Sequence, residues 1–266
     1  MSVETAMPNP SRSRGWSMGL GNMLSKELSS WWKTRRWWVQ CLVSVLLQNG
    51  SMALNMRGGM GDGAAMNFLA TSALLVPLAA ISLAQDTILG ERHSGTAAWV
   101  FTKPLQRPAY ILAKVLAHGL GLLVAWVVIP VSIAYFQIAA ATGGQPPAIG
   151  FVGAMGLIFL NLFFYMALAL MLATIFNGRG PVLGISVFLS FAGPIGLLTA
   201  PIEKYMPWLT NIMPWTLTFP AGNVTPLVMY VVNGQPLPTI VPIVASVLWC
   251  GVFIAVAIWR TSREEF

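Results

Sequence analysis

The sequence predicts an all-α, polytopic membrane protein with six transmembrane helices, and its composition and charge-free runs are the reasons. Of its 266 residues, 56% are hydrophobic and only 9% are charged, whereas soluble domains carry about 25% charged residues. A spanning helix needs about 20 apolar residues. Runs without a charged residue reach this length five times, at 37–56, 63–85, 115–178, 180–202 and 205–259.

These runs divide into six spans within a single transmembrane domain over 37–266. The three shorter runs fit one helix each. The run 115–178 has room for two helices, separated by the Gly/Pro-containing stretch 143–147. The run 205–259 supplies one span, because only its part over 239–259 is cleanly apolar.

Two segments are expected before the first span: a flexible cytoplasmic tail over 1–15 and an amphipathic helix over 16–36. One face of this helix is apolar and carries Leu20, Met23, Leu24, Leu28 and Trp31. The opposite face carries Asn22, Lys26, Ser29 and Lys33. A basic helix with tryptophan on its apolar face lies in the membrane interface rather than crossing the bilayer. A frayed basic tail is the alternative.

The middle spans and the segment before the last one follow from the same runs. Pro130 and Pro194 should kink the third and fifth spans. The segment 200–238 contains seven prolines, and its apolar stretches are too short to cross a bilayer. It predicts short re-entrant or interfacial helices on the external side, with a floppy external loop as the alternative. Spans 2 to 5 are expected at about 65–84, 110–139, 149–176 and 181–199.

Lysine and arginine residues set the predicted orientation. Thirteen of the 15 fall on one side of the six-span arrangement, and only Arg57 and Lys204 fall on the other. Cytoplasmic loops carry the excess of Lys and Arg, so both termini are expected in the cytoplasm of a multi-pass plasma-membrane protein. This topology accounts for the net charge of +7 without a nucleic-acid partner.

The segment 86–114, here called the polar island, holds six charged residues between two apolar runs. After the second span, Gly90-Glu91-Arg92 is expected to break the apolar helical pattern, and Ser94-Gly95-Thr96 to supply the N-cap of a short helix. Pro104 should end that helix, and Pro108 should begin the third span. Together these elements would form a docking unit for another protein, and an ordinary connecting loop is the alternative. The unit's basic and aromatic face toward a cytoplasmic partner would consist of Trp99, Phe101, Lys103 and Arg107.

Catalytic and metal-binding patterns are not found in the sequence. His93 and His118 are far apart and lie beside no cluster of Cys, Asp or Glu, so a metal site is not expected. The sequence contains no GxxxxGK[ST] phosphate loop and no GxSxG elbow. We therefore expect no catalytic residue, metal ion or cofactor in this chain.

Polar residues within the predicted spans are further candidates, because such residues are costly in lipid unless they face protein or water. They are Gln48, Asn49, Asn67, His118 and Asn161. Interhelical packing contacts are the favoured role for each, and a place along a transport pathway is the alternative. An ion-coupled transporter would need an acid in the membrane, and no span interior contains Asp or Glu.

The polar island resembles the corresponding segment of ABC-2-type transporter permeases. GERHSGT at 90–96 is similar to the ER.SGT segment of that family. The strings TKPLQR at 102–107 and ILAK at 111–114 are similar to the segment that opens its third span. The layout of an amphipathic helix, six spans and short external helices is also similar over nearly the whole chain. His93 departs from the family, which often has an acidic residue there.

The resemblance implies a half-transporter. Two membrane subunits, identical or homologous, would pair with two separate ABC ATPase subunits that hold ATP and Mg, and the loop over 86–109 would couple the two parts. The implied activity is export. The substrate is unidentified, and the proline- and tryptophan-rich external segment suggests a lipid-like or amphipathic one. A secondary transporter, a channel and a non-transporting membrane or immunity protein are the alternatives. The ATPase-coupling residues would be Glu91, Arg92, Ser94, Gly95, Thr96, Trp99, Lys103 and Arg107.

Overall fold

The computed structural model describes residues 17–57, 63–102, 105–144, 147–193, 205, 208, 211–219 and 225–263. The expected tail over 1–15, Lys103, Pro104, Pro194 and much of the expected external segment lie outside these residues, as does the side chain of Phe101. Every regular element in the described ranges is helical. The elements are α1 (Leu20–Trp32), α2 (Arg36–Arg57), α3 (Ala64–His93), α4 (Thr96–Phe101), α5 (Arg107–Leu122), a π-helical turn (Leu123–Val128), α6 (Ile129–Thr142), α7 (Ala148–Ile175), α8 (Arg179–Ala192), α9 (Trp215–Thr218), α10 (Leu227–Val232) and α11 (Val241–Arg263).

Within the described residues, four helical segments are long and apolar enough to cross a membrane. They are α3, the continuous α5–α6 rod (Arg107–Thr142), α7 and α11. The all-helical class predicted from the sequence is thereby confirmed for the described residues, and the four apolar segments fit a polytopic membrane protein. Helix α2 has 22 residues but is less apolar than these four, and the described part of α8 has 14 residues. The number of six spans therefore stays a prediction.

Helix α7 forms the centre of the bundle. Its apolar part is 72% buried, and it packs against α3, α8, α10 and α11. The close approach of α7 to α10 depends on Gly150, because a Cβ atom there would lie 2.6 Å from the Val231 carbonyl oxygen. Small residues let membrane helices approach in this way. These four helices are therefore arranged around α7.

The α5–α6 rod contains a π-helical turn directly before Pro130. Proline has no backbone N–H, so carbonyl groups one turn earlier lose a donor from the rod itself. Polar side chains of α2 replace it. Ser44 Oγ donates to the Ala125 carbonyl at 2.5 Å, and Gln48 Nε2 donates to the Trp126 carbonyl at 3.4 Å. The polar residues that make α2 less apolar therefore donate hydrogen bonds to carbonyls of the π-helical turn.

Helix α1 packs along α5. Met23 and Trp31, two residues of its predicted apolar face, are buried. The Trp31 indole lies directly on Gly121 of α5, where a Cβ atom would come within 2.4 Å of the ring. Glu27 is buried on the same face, which the sequence did not predict. The apolar face of α1 thus packs against the bundle and carries one carboxylate with it.

The end of α3 differs from the prediction. Gly90-Glu91-Arg92 does not end the helix, which continues to His93. Glycine within a helix costs only roughly 0.5–1 kcal/mol relative to alanine. Contacts to other helices outweigh this cost, because Glu91 pairs with Lys114 of α5 and Arg92 binds the end of α7. Tertiary contacts thus extend the helix beyond the point where the apolar pattern stops.

Replacing Gly121 with alanine should separate α1 from α5. The added methyl group would collide with the Trp31 ring, and overpacking costs about 1–3 kcal/mol. We expect the Tm of the purified protein in detergent to fall by several degrees. Gly119→Ala is the matched control in the same helix, since its Cβ would meet Phe163 at an ordinary 3.5 Å. Equal Tm values for the two variants would contradict the close contact.

Candidate functional site

Five side chains form a charge cluster that joins α1, α3 and α5 at the predicted cytoplasmic end of the bundle. At its centre, the ammonium nitrogen of Lys114 lies 3.3 Å from Glu27 Oε1 and 3.0 Å from Glu91 Oε2. Tyr110 Oη donates to Glu91 Oε2 at 2.7 Å. Lys26 Nζ donates to the other oxygen of Glu91, Oε1, at 3.2 Å. Each carboxylate oxygen of Glu91 therefore has a partner.

Lys114 is the most deeply buried member of the charge cluster, with a side chain that is 1% exposed. Removing an ammonium group from water costs several kcal/mol unless partners compensate. Two carboxylates and the Thr87 carbonyl, at 3.0 Å, provide that compensation. Because these partners come from α1 and α3, the pairing fixes three helices relative to one another. Lys26 is 53% exposed, and ion pairs in such positions contribute about 0–1 kcal/mol.

His118 lies one turn after Lys114 and contacts the same helices. Its Nδ1 donates to the Lys114 carbonyl at 3.0 Å, and its Nε2 lies 3.1 Å from Thr87 Oγ1. The ring meets Trp31 edge-on, with centroids 5.8 Å apart. These contacts give His118 the interhelical packing role that the sequence favoured.

A cavity of about 460 Å³ adjoins the charge cluster. Side chains of both signs line it, so its walls do not select for an anion or a cation. Within the described residues, no three His, Cys, Asp or Glu side chains are placed to hold a metal ion. The charged and ionisable residues of the lining are Lys26, Glu27, Arg36, Asp86, Glu91, Lys114 and His118.

Two arginines of the polar island bind helix C-termini inside the protein. Arg92 donates from both terminal nitrogens to carbonyls in the last turn of α7, at 2.8 and 3.1 Å. Arg107 donates from Nη1 to two carbonyls in the last turn of α11, at 2.9 and 2.8 Å. Nearby, Asp86 of α3 pairs with Arg179 of α8 at 2.7 Å. The sequence placed Arg92 and Arg107 toward an ATPase, whereas the structure directs these contacts to α7 and α11.

The residues around the start of α4 form the exposed part of the polar island. The N-cap residue of α4 is Gly95, which lies within the predicted Ser94-Gly95-Thr96 stretch; its φ is 71°, and no side chain caps the helix. Glycine adopts this left-handed conformation without a steric penalty. Ser94 Oγ and Thr96 Oγ1 instead lie 2.9 Å from each other. His93 is exposed with Nε2 3.1 Å from the carbonyl oxygen of residue 177, and Trp99 is 61% exposed.

A groove of about 520 Å³ lies between α4 and α1. Most of its surface is apolar, and Trp99 of α4 and Lys26 of α1 contribute to opposite walls. A groove of this composition suits an apolar side chain or short segment of another protein. Its lining residues are Gly19, Asn22, Met23, Lys26, Trp99, Val100 and Leu105.

The five polar residues predicted within spans lie on four different helical segments. Gln48 and Asn49 of α2 are buried and form hydrogen bonds to α3 and to the α5–α6 rod. Asn161 is buried in α7, and the side-chain oxygen of Asn67 in α3 is buried without a hydrogen bond. Of the five, only His118 lines the 460 Å³ cavity. Gln48 and Asn49 thus make interhelical contacts, and a pathway role for the set stays a prediction.

Glu27 and Tyr110 are the members of the charge cluster that sequence reasoning missed. Glu27 lies midway between Met23 and Trp31 on the apolar face of α1. Lys114 is the last charged residue before a long apolar run. An acid on an apolar helix face and a base at the start of a span are each costly to bury alone. Because each charge is costly to bury alone, the sequence could have predicted that Glu27 and Lys114 pair with each other.

Lys114→Met should be strongly destabilising. It would leave the buried Glu27 and the partly buried Glu91 without their common cation, and removing one partner of a buried ion pair costs about 3–5 kcal/mol. We expect a large fall in Tm and in the yield of folded protein from detergent extracts. Lys26→Met is the matched control, since it removes a partner of the same carboxylates from an exposed position and should cost about 1 kcal/mol or less. Similar losses in both variants would refute the central role of Lys114.

Comparison with known proteins extends the likeness beyond the polar island. The model of a family described as ABC-2 family transporter protein matches residues 43–266. A Pseudomonas aeruginosa protein named probable ABC transporter permease protein NosY is 29% identical over 212 residues, which cover 74% of this chain and 74% of that protein. The match to the family model runs from α2 to the end of the chain, so it does not depend on one motif. The chain therefore belongs to the ABC-2 family of transporter proteins.

Proposed function

We propose that the chain is the transmembrane permease subunit of an ABC exporter, powered by ATPase activity in separate subunits. Family membership and the name of the Pseudomonas relative support this assignment. The observation that carries it is the placement of α4, a short helix with exposed Thr96 and Trp99 side chains. It lies between two long apolar segments, and the arginines on either side of it bind other helices. Such an element gives a soluble partner a firm contact, and the sequence itself has no phosphate loop.

In this proposal α2 and α8 complete six spans. The buried polar side chains of α2 form hydrogen bonds to neighbouring helices, and polar groups are tolerated at membrane depth when they face protein. The polar island and both termini lie in the cytoplasm, because 13 of the 15 Lys and Arg residues are then on that side. The membrane in which the proposed permease is embedded is the plasma membrane.

The ATPase docks on the exposed side of α4 and in the groove between α4 and α1. Trp99 is the central contact, since exposed tryptophans are over-represented among residues that dominate binding energy. Thr96 borders it on α4 and is also exposed. Glu91, Arg92 and Arg107 do not contact the ATPase in this proposal, because they bind other helices of the bundle. Lys103 keeps the docking role that its position in the sequence suggests.

The complete transporter contains two membrane subunits, identical or homologous, and two ATPase subunits that hold ATP and Mg. Membrane lipids cover the exposed apolar side chains of α2 and α11, such as Leu46 and Leu248, which are 63% and 64% exposed. The transported substrate is lipid-like or amphipathic. The external segment supports this choice, because it combines prolines with aromatic residues such as Trp208, which is 61% exposed.

Purification of the tagged chain from its native membranes tests the assignment. In mild detergent it should bring down an ATPase with a GxxxxGK[ST] loop, identified by mass spectrometry, in an amount equal to that of the permease. The purified complex should hydrolyse ATP. A chain that is well folded but carries no such ATPase would contradict the proposal.

Trp99→Ala should weaken ATPase binding with little effect on folding. Loss of a central tryptophan contact typically costs about 2 kcal/mol or more, which corresponds to an increase in Kd of about 30-fold. Titration of the purified permease with the ATPase measures this change. Trp208→Ala is the matched control, because both side chains are 61% exposed and Trp208 lies in the segment expected on the other side of the membrane. Equal Kd values for the two variants would place the docking surface elsewhere.

A further inference from the structure

Arg92 holds the C-terminal turn of α7. Its Nη1 donates to the Ala173 carbonyl at 2.8 Å, and its Nη2 donates to the Thr174 carbonyl at 3.1 Å. The last four carbonyl groups of a helix have no partner within that helix, and cations are favoured at this end of the helix dipole. A guanidinium is planar and directs its donors along fixed lines. The contact therefore fixes both the position and the direction of the α7 end relative to α3.

Arg107 makes an equivalent contact with α11. Its Nη1 donates to the carbonyls of Thr261 and Ser262, at 2.9 and 2.8 Å. Helix α11 ends at Arg263, so both carbonyls belong to its last turn. Because Arg107 is the first residue of α5, the contact joins the start of α5 to the end of α11.

The two helices held in this way form a pair. Helices α7 and α11 pack along each other, and the rings of Phe164 and Phe253 meet edge-on with centroids 5.2 Å apart. Arg92 precedes α4 by four residues, and Arg107 follows it by six. Both ends of the connection that contains α4 are therefore tied to the same helix pair.

We propose that Arg92 and Arg107 are positioning residues that carry displacement of α4 to the ends of α7 and α11, so that this helix pair moves with α4. The inference rests on the proposed docking of an ATPase at α4, which supplies the displacement through its differential binding to two states. Without the arginines, the breaks on either side of α4 would absorb the movement. With them, the movement reaches the two helices at the ends nearest to α4.

Spin-label distances in the copurified permease–ATPase complex test the inference. Cys41 and Cys250 are replaced by alanine, and new cysteines are introduced at exposed positions. The α4–α7 label pair uses Thr102, beside α4, and Asn177, just after α7. The α4–α11 label pair uses Thr102 and Ser262. Pulsed EPR measures both distances without nucleotide and with a non-hydrolysable ATP analogue.

In the parent complex, both distances should stay constant when the analogue binds. Arg92→Gln should make the α4–α7 distance change by about 2 Å or more, the scale of helix shifts in switching proteins, and should leave the α4–α11 distance constant. Arg107→Gln should have the reciprocal effect. Arg179→Gln is the matched control, because this exposed arginine pairs with Asp86 and should change neither distance.

A change in either distance in the parent complex would overturn the inference, as would constant distances in both arginine variants. Release of the ATPase by either variant would also overturn it, since the arginine would then belong to the docking contact. Where a glutamine variant does not fold, Arg92→Lys or Arg107→Lys replaces it. Lysine keeps the positive charge but lacks the planar guanidinium group with its fixed donor directions. Failure of the parent chain to bind any ATPase would instead refute the proposed function.

Discussion

The ammonium group of Lys114 is the contact on which the packing of α1, α3 and α5 depends. A single cation at this depth requires α1, α3 and α5 together, because each supplies part of what compensates for its loss of water. An amphipathic helix held only by its apolar face could slide along the membrane surface. Glu27 instead makes α1 part of the bundle, and the groove beside α4 exists because α1 is held there.

Much of the fold could be predicted from the sequence, because spanning helices need long apolar runs and the chain contains them. Several features could not be read in that way. The apolar pattern stops before Gly90, yet α3 continues to His93, since Glu91 and Arg92 gain partners on helices distant in sequence. The motif around Glu91 singled out this region, but sequence alone could not separate residues that face outward from those that bind within the chain.

Helix α2 shows why hydropathy alone is an incomplete guide to membrane proteins. Its polar residues lower its apolar character, and the same residues donate to carbonyls around the π-helical turn before Pro130. The cost of burying a polar side chain is offset when it satisfies a backbone group that would otherwise lack a partner. Polar residues of one helix and the proline of another thus form one structural unit, although about 80 residues separate them.

The position of α4 separates two properties of the protein. Its placement is set by Gly95, by the arginines on either side and by the charge cluster, whereas the side chains of Trp99 and Thr96 point away from the buried core. Under the docking proposed for α4, substitutions on the outer side of this short helix would adapt the protein to a different ATPase without repacking the bundle. In the proposed transporter, the choice of ATPase and the choice of substrate would then depend on different parts of the chain and could evolve independently.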